Sequence, residues 1–309
     1  MARRDAPRVK DRSSDRLGRV VETVGRRVMV SDAEGTRACF LSGHRAVVGD
    51  VVRWTEAKGE GGKLTEVCAR TSILRRVDSR GEEQMLVANL EGVFVVFSAS
   101  EPPLAPPLLD RYLVAAEHDG LRAVIVLNKA DSEVPAHVEA ALAERAELGF
   151  TVLRSSAKTG DGVEAIRAHL AAAKGAWAFV GPSGVGKTSL VGALLPGEDV
   201  GPIGEISAYW GQGMHTTTHT RLFKVHSGGE IADSPGIRSF TPAVLDPIAI
   251  RDHYPGVTGL DCKYRDCLHR DGEEGCVAPA SVPESRLIAY RALLTEALGI
   301  ARRRGPGSN

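Results

Sequence analysis

Between residues 17 and 77, apolar and polar positions alternate in short runs, the period-two pattern of half-buried strands. The runs 18–24, 26–31, 36–41, 50–55 and 63–69 are rich in Val, Thr and Arg, and Gly25, Glu34-Gly35, Gly49 and the stretch 59–62 separate them. Five short strands in about sixty residues predict a small closed β-barrel of the OB type, with an SH3-like barrel as the alternative the same pattern allows. From about residue 85 the pattern changes. Residues 93–97 form an unbroken apolar run, as in a parallel strand covered on both faces. Residues 108–118 then place Leu109, Leu113 and Ala116 on one helical face. Strand-like 124–127, helical 137–148, strand-like 151–154, helical 162–173 and strand-like 176–180 follow. That alternation predicts a doubly wound α/β sheet, in which ligands bind beyond the carboxyl ends of the strands. After about residue 245 the chain enters a Pro-, Gly- and Cys-containing stretch. It ends in a helix whose Leu287, Tyr290, Leu294 and Leu298 recur at helical spacing. Ser281 and Glu284 read as a capping box for that helix, with Pro283 in its first turn. The expected division is a flexible arm over 1–16, a barrel over 17–77, an α/β domain over 78–245 and a C-terminal element over 246–309.

Composition fits a soluble globular chain of 309 residues, 43% hydrophobic and 25% charged. Lys plus Arg and Asp plus Glu are 39 each, so bulk charge argues neither for nor against nucleic acid and local clusters must decide. Nine basic residues lie between Arg3 and Arg27 against Asp5, Asp11, Asp15 and Glu22, and Arg302, Arg303 and Arg304 form a second cluster. Basic ends of this kind suit a phosphate backbone, and they also suit a solvated tail. No apolar run reaches the roughly 18–20 residues that span a bilayer, and no apolar segment backs the N-terminal arginines as in a signal peptide. The expectation is a cytoplasmic monomer that makes no membrane contact. With three of five cysteines clustered near the C-terminus and Cys39 and Cys68 in strand-like sequence, no disulfide framework is expected.

Gly181-Pro182-Ser183-Gly184-Val185-Gly186-Lys187-Thr188 matches the phosphate-binding pattern G-x-x-x-x-G-K-[ST] in full. It follows the strand 176–180 and precedes a helix that begins at Ser189. Glycines let successive backbone N–H groups turn toward one anion, and the helix N-terminus adds its dipole. Lys187 is the expected partner of the β- and γ-phosphates, and Thr188 the expected Mg²⁺ ligand. Near the C-terminus, Cys262, Cys267, His269 and Cys276 form a Cys₃His set, which predicts one structural Zn²⁺ with no open coordination position.

Three further motifs resemble those of translation-factor-type GTPases. Asn128-Lys129-Ala130-Asp131, directly after the strand 124–127, looks like N-K-x-D. The resemblance implies that the Asp131 carboxylate accepts from guanine N1–H and N2–H₂, a donor pair adenine lacks. Asn128 would then bond the opposite edge of the base and tie the loop to the phosphate loop, and the Lys129 stem would lie along the ring. Ser155-Ser156-Ala157-Lys158 resembles S-A-K, in which the Ala157 N–H reaches guanine O6 and the Lys158 stem packs on the ring, with Ser156 alongside. Asp233-Ser234-Pro235-Gly236 looks like the D-x-x-G switch, Asp233 holding a Mg²⁺-bound water and the Gly236 N–H meeting the γ-phosphate. Thr217, with Thr216 close behind and Thr218 adjoining, is the expected Mg²⁺ ligand of the preceding switch. The residue after Gly236 is Ile237, which cannot orient water; His215 is one candidate to do so, and a group supplied in trans by a partner is the other.

The order N-K-x-D, S-A-K, phosphate loop, Thr switch, D-x-P-G is a circular permutation of the usual one. With a barrel before it and a Cys₃His element after it, the chain resembles the ribosome small subunit-dependent GTPase A family (RsgA, also called YjeQ) over nearly its whole length. The resemblance implies a multidomain α/β protein with an OB-fold that contacts RNA, a permuted GTPase domain and a zinc-binding C-terminal element. It implies a cytoplasmic GTP phosphohydrolase that needs GTP, Mg²⁺ and Zn²⁺, binds the small ribosomal subunit and 16S rRNA, and acts late in subunit maturation. A second reading is an RNA-binding chaperone in which GTP is mainly a conformational lock. A third, a phosphate-loop ATPase or kinase, is disfavoured by Asn128 and Asp131.

Overall fold

The N-terminal strands are β1 (Arg16–Val24), β2 (Arg27–Asp32), β3 (Gly35–Phe40), β4 (Val51–Glu56) and β5 (Gly62–Val67). In this computed structural model, residues 15–25, 27–57, 61–77, 83–198, 220–238, 240, 242 and 245–304 are described. Alternation drives the barrel's closure: Val20, Val28, Val30, Val52, Trp54 and Leu64 all turn inward and are buried. Strand order decides what the pattern left open. β1 pairs with β2 and with β4, and β3 pairs in parallel with β5 through Cys39 and Gly62. The closed order β1-β2-β3-β5-β4, with one parallel pair, is an OB-type barrel.

The hairpin β6 (Ile73–Val77) and β7 (Glu83–Ala88), absent from the sequence expectation, leads into β8 (Leu90–Ser98). Then come α1 (Pro106–His118), β9 (Arg122–Asn128), α2 (Ala136–Glu147), β10 (Thr151–Arg154), α3 (Val163–Ala172), β11 (Ala176–Val180) and α4 (Lys187–Leu194). β12 (Arg221–Lys224) and β13 (Glu230–Asp233) complete the sheet. Its order is β10-β9-β8-β11-β13-β12, all parallel except β12.

Both faces are covered, which is why β8 reads as an unbroken apolar run. Val93, Val95 and Phe97 face Leu109 and Leu113 of α1 and Val138 and Leu142 of α2. Phe94 and Val96, one residue out of phase, face Ile166 and Leu170 of α3 and Leu190 and Leu194 of α4.

The chain runs from β8 outward to β10, then returns to the other side of β8 as β11. That reversal opens a crevice between β8 and β11, the position where open sheets of this kind bind ligands. The barrel is stitched to the far edge of the same sheet. The Thr23 N–H donates to the Thr220 carbonyl at 3.2 Å, Glu22 of β1 pairs with Arg221 of β12, and Arg19 bonds Glu230 of β13.

Among the described residues four helices follow the sheet: α5 (Pro235–Arg238), α6 (Pro247–His253), α7 (Ala278–Ser281) and α8 (Glu284–Arg304). The expected capping box does not form as such, because Ser281 ends α7 and the Pro283 carbonyl takes the first N–H groups of α8, from Arg286 and Leu287. Leu287, Tyr290 and Leu294 are buried with Ile250, Tyr254 and Val257, and Val114 of α1 joins them, so this unit packs on the α/β domain. A polar joint fixes the contact. Asp110 of α1, 1% exposed, takes three bonds from Arg145 at 2.8, 2.9 and 3.2 Å and one from the Tyr254 hydroxyl at 2.6 Å. Satisfied this way, a buried carboxylate holds its partners in one geometry. Among the described residues no helix is long and apolar enough to cross a membrane.

Candidate nucleotide site and metal cluster

Because β8, β9, β10, β11 and β13 are parallel, their carboxyl ends share one edge of the sheet. The recognisable motifs sit at that edge. Asn128 is the last residue of β9, Ser155 follows β10, Gly181 follows β11 and Asp233 is the last residue of β13.

The phosphate loop bends as its glycines permit. Gly181 has φ +138° and Gly186 has φ +93°. A Cβ on Gly181 would stand 2.2 Å from the Val96 carbonyl oxygen, and one on Gly186 would stand 2.3 Å from Asn128 Nδ2, so each position is closed to a side chain by a neighbouring loop or strand. Lys187 opens α4 behind Gly186 and is buried. Its ammonium donates to the Gly181 carbonyl at 2.8 Å and the Pro182 carbonyl at 2.5 Å. Burial, and then the nearby charge of Arg238, pushes its pKa down to about 8. An anion placed against this cation relieves both causes. Val185 is buried, whereas Ser183 and Gly184 are exposed at the loop's outer edge.

Asn128 joins the loops. It is 1% exposed, and its amide donates to the Val185 carbonyl at 2.8 Å while its oxygen accepts from the Ala157 N–H at 3.2 Å. The Ala130 N–H donates to the Ser155 carbonyl at 3.0 Å. Three segments that are far apart in sequence, at 128–131, 155–158 and 181–188, therefore converge on one side chain. Lys129 takes φ +58° and its ammonium bonds the Glu101 carbonyl in the loop after β8. Asp131 is exposed, and a hydrogen bond from Ser156 with help from Lys158 holds its carboxyl below the usual carboxylate range, so it is an ionised acceptor at neutral pH. The Ala157 N–H, expected at guanine O6, is engaged by Asn128 in this structure.

At the other end of the crevice Asp233 is 7% exposed and forms an ion pair with Arg238, Nε to Oδ1 at 2.9 Å and a second bond from the other guanidinium nitrogen. Gly236 and Ile237 are buried in α5, Ile237 as part of the core, which agrees with its inability to orient water. Arg238 belongs to no motif and was missed: its approach to Asp233 depends on the single turn of α5, which the sequence pattern did not announce. His215, Thr216, Thr217 and Thr218 lie outside the described residues, as do the basic residues of the arm up to Lys10 and Arg12.

The four metal-type side chains of the C-terminal unit meet. The donor atoms of Cys262, Cys267, His269 and Cys276 lie within 4.8 Å of one another. His269 Nδ1 is 3.4, 3.5 and 3.5 Å from the three sulfurs. Tetrahedral Zn²⁺ with ordinary Zn–S and Zn–N bonds places sulfur and nitrogen about 3.5 Å apart, so the set has the right size. Burial holds the His269 imidazole below its usual pKa, in the neutral form that ligates, and pushes the Cys267 thiol up to about 12, a cost that a bound cation removes. α8 braces the loop: the Tyr290 hydroxyl donates to the Leu268 carbonyl at 2.8 Å and Arg291 Nε to the His269 carbonyl at 3.0 Å.

Known proteins resemble this chain in sequence and fold. The family model described as RsgA GTPase matches residues 67–242. The small ribosomal subunit biogenesis GTPase RsgA of Azotobacter vinelandii is 38% identical over 293 residues, covering 91% of this chain and 84% of the relative. That of Pseudomonas syringae pv. syringae is 39% identical over 304 residues, covering 92% and 86%. Among solved structures, YjeQ from Thermotoga maritima superposes with a TM-score of 0.72 at 28% identity, over 92% of this chain and 99% of that one. YloQ, described as a circularly permuted GTPase, superposes with a TM-score of 0.70 at 24% identity, over 97% and 100%, and speaks for the fold alone. With its phosphate loop, its permuted motif order and these relatives, the chain belongs to the RsgA GTPase family.

Proposed function

We propose that this chain is a GTP-hydrolysing factor that docks on the small ribosomal subunit during late maturation and leaves after hydrolysis. In this reading the segment from Gly181 to Ser189 cradles the phosphates, Asp131 reads guanine, and Ser156, Ala157, Lys129 and Lys158 complete the base pocket. The observation that carries it is the position of Asn128, whose one side chain ties the guanine-type loops to the phosphate loop. Mg²⁺ is assigned to Thr188, to Thr217 and, through water, to Asp233, while the Gly236 N–H of the switch is assigned to the γ-phosphate. Hard oxygen donors suit it, and a guanidinium already rests on Asp233, so the pocket tolerates a positive charge at that point. When bound, Mg²⁺ neutralises charge on the phosphates, and Lys187 supplies the fixed cation beside it. Cys262, Cys267, His269 and Cys276 are assigned one structural Zn²⁺. As units of this chain we propose 17–77, 78–245 and 246–309, behind a basic arm over 1–16.

For 16S rRNA the barrel offers Phe40, 45% exposed, with the Arg27 guanidinium 4.5 Å from its ring centre. An exposed ring paired with a cation is a surface on which unpaired bases stack.

Single-turnover GTP hydrolysis with and without purified small subunits tests the reading. Subunits are expected to accelerate wild-type turnover by about 100-fold or more, and His215→Ala to lose most of that gain. Turnover indifferent to subunits favours the chaperone in which GTP is only a lock. Full stimulation in His215→Ala removes that residue from the chemistry.

A further inference from the structure

Among the described residues, the phosphate end of the crevice brings the buried carboxylate of Asp233 together with two cations, Lys187 and Arg238, and the carboxylate is taken by the cation that no motif predicts. Both Asp233 oxygens are engaged by Arg238, whose side chain is 10% exposed against 7% for Asp233. Lys187, the other cation, turns instead to the carbonyls of Gly181 and Pro182. We infer that Arg238 is a positioning residue that occupies the Asp233 carboxylate in place of Mg²⁺, so that guanidinium and hydrated metal compete for one acid. The inference rests on the assignment of Asp233 to the Mg²⁺ site made above.

Three features support competition rather than coexistence. A fork-to-fork pair uses the two carboxylate oxygens in the plane where a metal-bound water would also donate. Two positive groups on one largely buried carboxylate repel each other with little screening. The turn of α5 is closed without the guanidinium: the Arg238 backbone N–H bonds the Ser234 carbonyl at 3.0 Å and the Ile237 N–H bonds Ser234 Oγ at 3.1 Å. Arg238 also lies near enough to depress the Lys187 pKa, so its departure from Asp233 and the arrival of phosphate at Lys187 occur in one electrostatic neighbourhood. Metal, phosphate and switch segment are thereby coupled, since Asp233 ends β13 and Arg238 ends the turn of α5 that follows it.

The test is the Mg²⁺ concentration that half-saturates binding of a fluorescent, non-hydrolysable GTP analogue to the full chain. Wild type, Arg238→Gln, Arg238→Lys and Asp233→Asn are compared, with thermal melting of each. Freeing a carboxylate from a bidentate charged pair is expected to lower that midpoint about tenfold in Arg238→Gln. Arg238→Lys, which keeps the charge but loses the fork, is expected to shift it less, and in the same direction. Asp233→Asn is expected to raise it. An unchanged or raised midpoint in Arg238→Gln beside a raised one in Asp233→Asn overturns the competition and leaves the Mg²⁺ assignment standing. An unmoved midpoint in Asp233→Asn overturns both. Should Arg238→Gln fail to fold, Arg238→Lys decides: no shift toward lower Mg²⁺ there is equally fatal.

Discussion

Asp131→Asn is expected to cost GTP about 100-fold or more in affinity and to remove its advantage over ATP. Guanine presents N1–H and N2–H₂ side by side, and only an acceptor pair meets both. Asp131 is such a pair, exposed and kept ionised by Ser156 and Lys158. An asparagine keeps one acceptor and turns an N–H₂ toward a guanine donor, so one bond is lost and a repulsive contact replaces it. The same change suits xanthosine triphosphate, whose C2 carbonyl accepts where guanine donates, and that nucleotide is expected to become the best competitor. Competition against a fluorescent guanine nucleotide reads the order directly. Unchanged preference for GTP over ATP in the mutant places base recognition elsewhere.

The second large effect belongs to the metal cluster. Cys267→Ser is expected to abolish binding of Zn²⁺ and to loosen the whole C-terminal unit, because Cys267 is 4% exposed and the loop it closes is braced on α8 by Tyr290 and Arg291. Structural zinc of this kind contributes on the order of 10 kcal/mol to the folding of a small metal-bound unit. Metal content by mass spectrometry should fall from one per chain to none, with limited proteolysis opening the segment after 245. Nucleotide affinity should stay within about threefold of wild type, since Asn128, Val185 and Ala157 bond one another without help from that unit. A mutant that keeps its zinc, or whose C-terminal unit resists protease as well as wild type, contradicts the assignment.

What was legible in the sequence follows from what is local. The phosphate loop lies between an apolar strand and a helix, all within residues 176–194, so pattern and motif agree without tertiary information. The barrel was legible as alternating strands, but its OB type rests on the parallel pairing of Cys39 with Gly62, a non-local contact that alternation does not encode. β12 went unread because its four residues, Arg-Leu-Phe-Lys, hold only two apolar positions between charges, too few for a period. β6 is similar, with Arg75 and Arg76 in its middle. In the candidate site, contiguous motifs were found and through-space partners were not. Arg238 on Asp233 and the Glu101 carbonyl on Lys129 exist only once α5 and the loop after β8 are placed. The joint of Asp110, Arg145 and Tyr254 is of the same kind, three polar residues unremarkable in sequence that become a buried unit when three helical segments pack.

On the proposed reading, the permuted order builds one pocket in which the guanine-type loop at 128–131 precedes the phosphate loop at 181–188. A crystal structure of the full chain with Mg²⁺ and a non-hydrolysable GTP analogue tests that most directly. The account predicts one nucleotide lying along the crevice, its guanine on the Asp131 carboxylate and its terminal phosphates on the Lys187 ammonium. A nucleotide whose phosphates sit in the loop while its base leaves Asp131 unvisited contradicts it.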